Sequence, residues 1–203
     1  MSADPNTPVI AEEDRLRADM YDFLAALLAR APDRVMLQKC AALSADPSPL
    51  GDGIQVLAGL AKVTQPTAAS REFNGLFIGL GRGELLPYAS YYMTGFLNEK
   101  PLATLRNDMA ALGMKRAETV FEPEDNIASL CEMMAGLIDG RFGTMVGLAE
   151  QRTFFNRHIA PWGAHFFSDL EGAELSVFYA PVGTIGRVFM EIEKEAFRMA
   201  AAD

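Results

Sequence analysis

The chain has 203 residues, half of them hydrophobic, which is enough to bury the core of one domain and too many for a disordered chain. Twenty-seven acidic against 18 basic residues leave a net charge of −9, which on average repels a phosphate backbone and ranks nucleic-acid binding low. No basic segment followed by an apolar run opens the chain, and its longest early apolar run, Phe23–Ala29, is far too short to span a bilayer, so neither export nor stable membrane insertion is expected.

Helical periodicity governs nearly everything that follows. Thr7-Pro8 ahead of Glu12, Glu13 and Asp14 reads as a cap, a first-turn proline and an acidic first turn. Leu16, Met20, Phe23, Leu24, Leu27 and Leu28 then share one face until Ala31-Pro32 stops the helix. Asp33 starts a second helix through Val35, Leu37, Cys40 and Leu43, and the breaker-dense Asp46–Gly53 reads as a loop. Ile54, Leu57, Leu60 and Ala61 mark a third helix ended by Gln65-Pro66. Thr67 is placed to cap a fourth, carrying Phe73, Leu76 and Phe77, before Gly79–Gly83 and Pro87 interrupt the pattern.

Asn98 is placed to cap Pro101–Leu112, which Gly113 closes. The cleanest stripe is Ile127, Leu130, Cys131, Met134, Leu137 and Ile138, at offsets 0, 3, 4, 7, 10 and 11, terminated by Asp139-Gly140. Met145, Leu148, Arg152, Phe155 and Ile159 continue to Pro161; a short helix over 162–170 and a long one from about Gly172 to Met199 follow, the latter kinked or split at Pro181. No segment alternates with period two. The reading is an all-α, single-domain helical bundle of nine or ten helices over residues 1–203, with a hinge near 112–121.

Chemistry-bearing patterns are sparse. Cys40 and Cys131 lie far apart inside apolar helical patterns, which suits buried free thiols in a reducing, cytoplasmic compartment. His158 and His165 flank Pro161-Trp162, and no Glu-x-x-His pair accompanies them, so no metal centre is expected. Ser90 sits in P-Y-A-S-Y-Y rather than a G-x-S-x-G elbow, and Gly79–Gly83 lacks the G-x-x-x-x-G-K-[ST] pattern, so it reads as a flexible connector. No cofactor is expected, though weak nucleotide binding stays open. A helical nucleotide-binding, GTP hydrolase-like enzyme and a plain structural adaptor stand as alternatives to peptide capture.

Peptide capture fits the composition best. Eleven methionines and thirteen phenylalanines offer adaptable apolar surface of the kind that holds amphipathic segments, though most must be core. Tyr88, Tyr91, Tyr92 and Phe96 crowd one loop-to-helix junction, where they either face a ligand or anchor the loop. In E-P-E-D-N-I-A-S-L-C-E-M-M, a proline-pinned acidic cluster of Glu122, Glu124 and Asp125 stands where a helix begins. Carboxylates there answer unpaired N–H groups and the positive end of the dipole, and a plain cap is the bland reading.

The ordered set Leu76-Phe77, Pro87-Tyr88-Ala89-Ser90, Glu122-Pro123-Glu124-Asp125-Asn126, His158-Ile159-Ala160-Pro161-Trp162 and Phe178-Tyr179 resembles the TorD/DmsD/NarJ family of redox-enzyme maturation chaperones. Two positions depart from the family pattern: Ala89 stands where a glutamate is usual, and Asn126 where a histidine is usual. The resemblance implies a non-enzymatic cytoplasmic chaperone that binds the N-terminal leader, often a twin-arginine one, of a molybdenum oxidoreductase catalytic subunit. It would do so until the molybdopterin cofactor is inserted, touching that cofactor transiently at most, and would act as a monomer or a domain-swapped dimer. Client-binding residues implied are Leu76, Phe77, Tyr88, Ser90, Tyr91, Glu122, Pro123, Glu124, Asp125, Asn126, His158 and Trp162. Asp125, supported by Glu122 and Glu124, is expected to attract the cationic end of the leader while apolar side chains bury the rest.

Overall fold

The cleanest apolar stripe becomes the centre of the molecule. In the computed structural model, which describes residues 10–116, 121–143 and 145–201, that stripe forms α7 (Ile127–Asp139). Ten of its thirteen residues are buried, so it is covered nearly all round, as a central helix must be. α1 (Glu12–Ala29) lies along it with Tyr21, Leu24, Leu27 and Leu28 inward. α8 (Leu148–His158) covers another side. A second layer forms where α10 (Ala180–Met199) packs on α9 (Gly163–Gly172) and on α3 (Pro49–Val63), which carries α2 (Arg34–Ala41). α4 (Pro66–Phe73), α5 (Ala89–Thr94) and α6 (Lys100–Ala111) complete ten α-helices among the described residues. No strand occurs among them beyond one isolated bridge, Tyr88 with Asn126. The class is all-α.

Close approach and buried charge hold the layers together. At Gly183 a Cβ would come within 2.4 Å of the Glu171 nitrogen, and at Gly186 within 2.2 Å of the Phe167 ring, so only glycine lets α10 reach α9. Arg17 on α1 grips both carboxylate oxygens of Glu193 on α10, at 2.7 and 2.8 Å, and the Tyr21 hydroxyl donates to the same carboxylate at 3.0 Å. Gln151 on α8 joins through its side-chain oxygen at 3.2 Å, so one buried network links three helices.

Several boundaries differ from the pattern-based expectations. Pro181 neither kinks nor splits a helix from Gly172 to Met199: it sits in the first turn of α10, where its missing N–H costs nothing. Residues 173–179 ahead of it are non-helical. Five of the eight residues of the Asp46–Gly53 loop are helical, because Ser48 caps α3 through the Gly51 N–H and Pro49 opens it. Gln65, not Thr67, stands at the N-cap of α4, and Glu99, not Asn98, at that of α6; Asn98 has φ +59°. Leu16, expected on the core face of α1, is 62% exposed. After α4 the chain widens into a π-helical turn, Asn74–Ile78, which a 3.6-residue period does not reveal. Thr7-Pro8, and residues 117–120 of the expected hinge, lie outside the described residues.

Candidate functional site

Two segments distant in sequence meet at the head of α7. The Ala89 N–H donates to the Asp125 carbonyl and the Ile127 N–H to the Pro87 carbonyl, each at 2.9 Å, so Pro87–Ala89 and Asp125–Ile127 pair through their backbones. Asp125 is 1% exposed, and its Oδ2 accepts from the Ser90 N–H at 2.8 Å; its Oδ1 is buried without a hydrogen-bond partner among the described residues. The acidic cluster therefore does not cap α7. Asn126 does, its Oδ1 accepting from the Ala128 N–H at 2.9 Å. Ser90 is fixed on all sides: its Oγ accepts from the Glu99 N–H at 3.2 Å and its carbonyl from the Thr94 hydroxyl at 2.8 Å.

The flanking carboxylates diverge in role. Glu124 is buried against Arg106, whose Nε and Nη2 donate to it at 3.0 and 2.8 Å, with Arg116 3.7 Å away. Burial pushes its carboxyl upward, but the bonds and charge of Arg106, helped by Arg116, outweigh that and hold it below the ordinary value. Glu122 is exposed and accepts from the Tyr88 hydroxyl; partial loss of water around its carboxyl pushes it up.

The tyrosines act as anchors. Besides Tyr88, Tyr91 takes a hydrogen bond from Arg82 at 2.8 Å with the guanidinium also over its ring, and Tyr92 donates to Asp169 at 2.8 Å. Tyr92 also lies against Trp162, ring centroids 5.2 Å apart, and the Trp162 indole N–H donates to the His158 carbonyl at 2.8 Å. The His158 Nε2 faces Asp108 Oδ2 at 2.7 Å, and Arg157 reaches both oxygens of the same carboxylate. Burial pulls the His158 pKa below its ordinary value despite Asp108, so the ring is neutral at pH 7 and donates from Nε2. Burial pushes Asp108 the other way, yet Arg157 and His158 together hold it low.

Most of the residues implied by the resemblance thus converge: Tyr88, Ser90, Tyr91 and Glu122–Asn126, with His158 and Trp162 joined through Tyr92. Ser90, Glu124, Asp125, Asn126, His158 and Trp162 are buried, Tyr88, Tyr91 and Pro123 half-buried, and Glu122 exposed. Leu76 and Phe77 lie on the π-helical turn, where Leu76 is fully buried in the core and Phe77 meets the Phe73 and Tyr179 rings edge-on, centroids 5.1 and 5.5 Å apart.

A groove of about 190 Å³ opens beside Glu122 and Glu124, floored by Met109, Met114, Met133 and Phe142 and edged by the charged Lys115, Arg116 and Glu132. Loss of water, together with Asp22, pushes the Glu132 carboxyl up against the pull of Arg141. On the other side of α6, a cleft of about 270 Å³ lies over Ala89, Met93 and Pro101 and reaches His158. The methionine floor was foreshadowed only by composition; Arg106, Asp108 and Glu132 carry no local signal. Nor does Glu72, whose carboxylate accepts from the Val177, Phe178 and Tyr179 N–H groups at 2.8, 3.1 and 2.8 Å and so fixes Phe178-Tyr179.

A helical chain with this junction also matches known proteins. The model of the nitrate reductase delta subunit family matches residues 43–168, more than half the chain, and the chain belongs to that family, the TorD/NarJ group of redox-enzyme maturation chaperones. Chaperone protein TorD of Vibrio cholerae serotype O1 is 28% identical over 130 residues, 61% of this chain and 59% of that protein. TorD of Vibrio atlanticus is 27% identical over 134 residues, 62% of each. The chain thus spans about three-fifths of the length of these relatives. A crystal structure described as a redox enzyme maturation protein of Archaeoglobus fulgidus aligns over 93% of this chain and 99% of that one, with TM-score 0.57 and 22% identity, a likeness of fold. Among the described residues no cluster of three or more potential metal ligands occurs, and no helix is long and apolar enough to cross a membrane.

Proposed function

We propose that this protein is a maturation chaperone that holds the N-terminal leader of a molybdenum oxidoreductase catalytic subunit while its cofactor is inserted. One observation carries the reading: the methionine-floored groove is lined by Glu122 and Glu124 of the acidic segment, with Glu132 adding a third carboxylate beside Lys115 and Arg116, the latter drawn to Glu124. A leader has a cationic end and an apolar run. Methionines adapt to varied apolar side chains, and two carboxylates of raised pKa gain most when a cation takes the place of lost water. The groove is smaller than the roughly 300–1,000 Å³ of small-molecule sites, so it suits one or two side chains of an extended segment.

Buried and exposed residues divide the work. Asp125, Asn126, Ser90, Glu124, His158 and Trp162 frame the junction, whereas Glu122, Tyr88, Tyr91 and the groove side chains meet the client. The test is isothermal titration calorimetry with a synthetic leader carrying paired arginines and an alanine–leucine run. Glu122→Gln/Glu132→Gln should weaken binding by up to about thirtyfold, since exposed charge pairs contribute about 0–1 kcal/mol each, and should lessen its salt dependence. No binding by the wild type, or the same affinity and salt slope in the variant, would reject the reading.

A further inference from the structure

The net charge of −9 is not spread evenly. Seven arginines are paired with carboxylates: Arg17, Arg106, Arg116, Arg141, Arg157, Arg187 and Arg198. Around α2 the basic side chains lack such partners, as several do elsewhere on the described surface, but here four of them gather on one helix and its neighbours. Arg30, Arg34, Lys39 and Lys62 are exposed, and none has a carboxylate within 4.0 Å among the described residues. The nearest acidic side chain in sequence, Asp33, is engaged in capping α2 through the Met36 N–H at 2.8 Å.

These cations flank two concavities. Arg34 and Lys62 stand over a cleft of about 390 Å³ between α2, the end of α3 and the start of α4. Its floor is apolar, from Leu37, Ala41 and Ala61, and Gln38 and Gln65 add amides to its walls. Arg30 and Lys39 line a smaller hollow of about 90 Å³ on the other flank of α2. The first turn of α4 opens at the larger cleft without a side-chain cap, so the positive end of its dipole adds to the same sign. α2 precedes the residues 43–168 that the family model matches, so Arg30, Arg34 and Lys39 stand outside the matched region and Lys62 within it.

We propose that the α2–α3 cleft is a docking site for an acidic amphipathic peptide segment of a partner protein. A cleft lined by one sign of charge over low-dielectric walls focuses its field on whatever enters. Leucine-sized side chains can lie on the Leu37–Ala41–Ala61 floor while carboxylates meet Arg34 and Lys62, and the glutamines can pair with peptide backbone. A broad anionic surface, a membrane or a duplex, must also face the acidic remainder of the molecule within a Debye length of about 8 Å. A narrow segment need not. A cationic leader is repelled here, so the proposal stands apart from the groove at Glu122.

Fluorescence anisotropy with a labelled peptide of alternating Glu-Glu and Leu-Leu pairs tests it, beside the Lys-for-Glu peptide, phosphatidylglycerol vesicles and a duplex oligonucleotide. The acidic peptide should bind in a salt-sensitive way and the basic one should not. Arg34→Glu/Lys62→Glu should weaken binding roughly tenfold, the scale of two inverted exposed charge contacts, and Lys62→Ala about two- to threefold. Arg15→Glu/Lys194→Glu, with the same change in net charge on α1 and α10, should change it less than about twofold. Thermal midpoints verify that the variants are folded. Equal weakening by both double variants, no binding, or vesicles or duplex outcompeting the peptide at this cleft would overturn the proposal.

Discussion

Replacing Asp125 separates a framework role from a surface role. Its Oδ2 is the acceptor for the Ser90 N–H at 2.8 Å in a site 1% exposed. Asp125→Ala leaves that donor buried and unpaired, a cost of about 1–3 kcal/mol, to which lost packing adds. At about 2–4 °C per kcal/mol for a chain of this size, the melting temperature should fall roughly 5–10 °C. Asp125→Asn keeps an acceptor for Ser90 but exchanges a charge-assisted bond for a neutral one, about 1 kcal/mol and about 2–4 °C. The pair Ala89 N–H to Asp125 carbonyl survives both changes, so local rather than global disruption is expected. Circular dichroism melts read the stability, and leader titrations at two salt concentrations read the charge. Asp125→Asn should leave the salt slope unchanged, whereas Glu122→Gln should lower the slope and leave the melt unchanged. An Asp125→Ala protein that melts with the wild type would refute the framework reasoning.

Glu193→Ala leaves the buried Tyr21 hydroxyl unpaired and the half-buried Arg17 with only Asp14 and Gln151, and should cost about 2–3 kcal/mol, while Arg17→Met/Glu193→Leu should recover part of that in a urea titration. Glu72→Gln loses the charge that serves three N–H donors and turns an amide NH₂ toward one of them; a loss of about 3 kcal/mol in the same titration is expected. His158 is depressed in the fold, so the unfolded chain takes its proton first. The stabilisation is complete above the ordinary value near 6.5 and is lost as pH falls from there toward the lower folded value. Melts between about pH 7.5 and 5 should decline in the wild type and decline less in His158→Gln, and parallel curves would count against it. The Asp108 carboxylate stays charged through this window, because its own pKa is lowered further below 3.8.

Local physics was legible and long-range physics was not. The stripe from Ile127 to Ile138 is a property of neighbours on one helix, and every member is buried. Cys40 and Cys131, read as buried thiols, are both buried. The cap at Asp33 follows from a side chain three residues ahead of the N–H it serves; those at Ser48 and Asn126 are as local, yet the breakers around Ser48 and the carboxylates beside Asn126 masked them. Glu193 in E-I-E-K-E carries no local mark of burial, because its partner lies 176 residues away. Asp125 was assigned to the helix start on proximity, yet its carboxylate answers a donor 35 residues upstream. Pro181 fits either a kinked or a newly started helix on sequence alone. Packing decides it, because Glu72 holds the preceding backbone outside any helix.

α6 makes these scattered residues into one site. Its Leu102, Leu105 and Met109 are buried, which fixes the helix rigidly. From that base Arg106 holds Glu124 on one side and Asp108 holds His158 and Arg157 on the other, three residues that sequence separates by up to 34 positions. Met109 then floors the groove at Glu122, while Pro101 and Thr104 line the cleft at His158. Salt bridges of this kind contribute little to stability when half-exposed, but they remove freedom from the side chains that define a surface. Under the proposed function, a client segment then loses mainly its own conformational entropy on binding, since the junction is already ordered. In that reading the client meets Glu122 and Glu132 at the rim and the methionines at the floor, because the frame beneath is already bonded within the fold, Glu124 to Arg106 and Asp108 to His158 and Arg157.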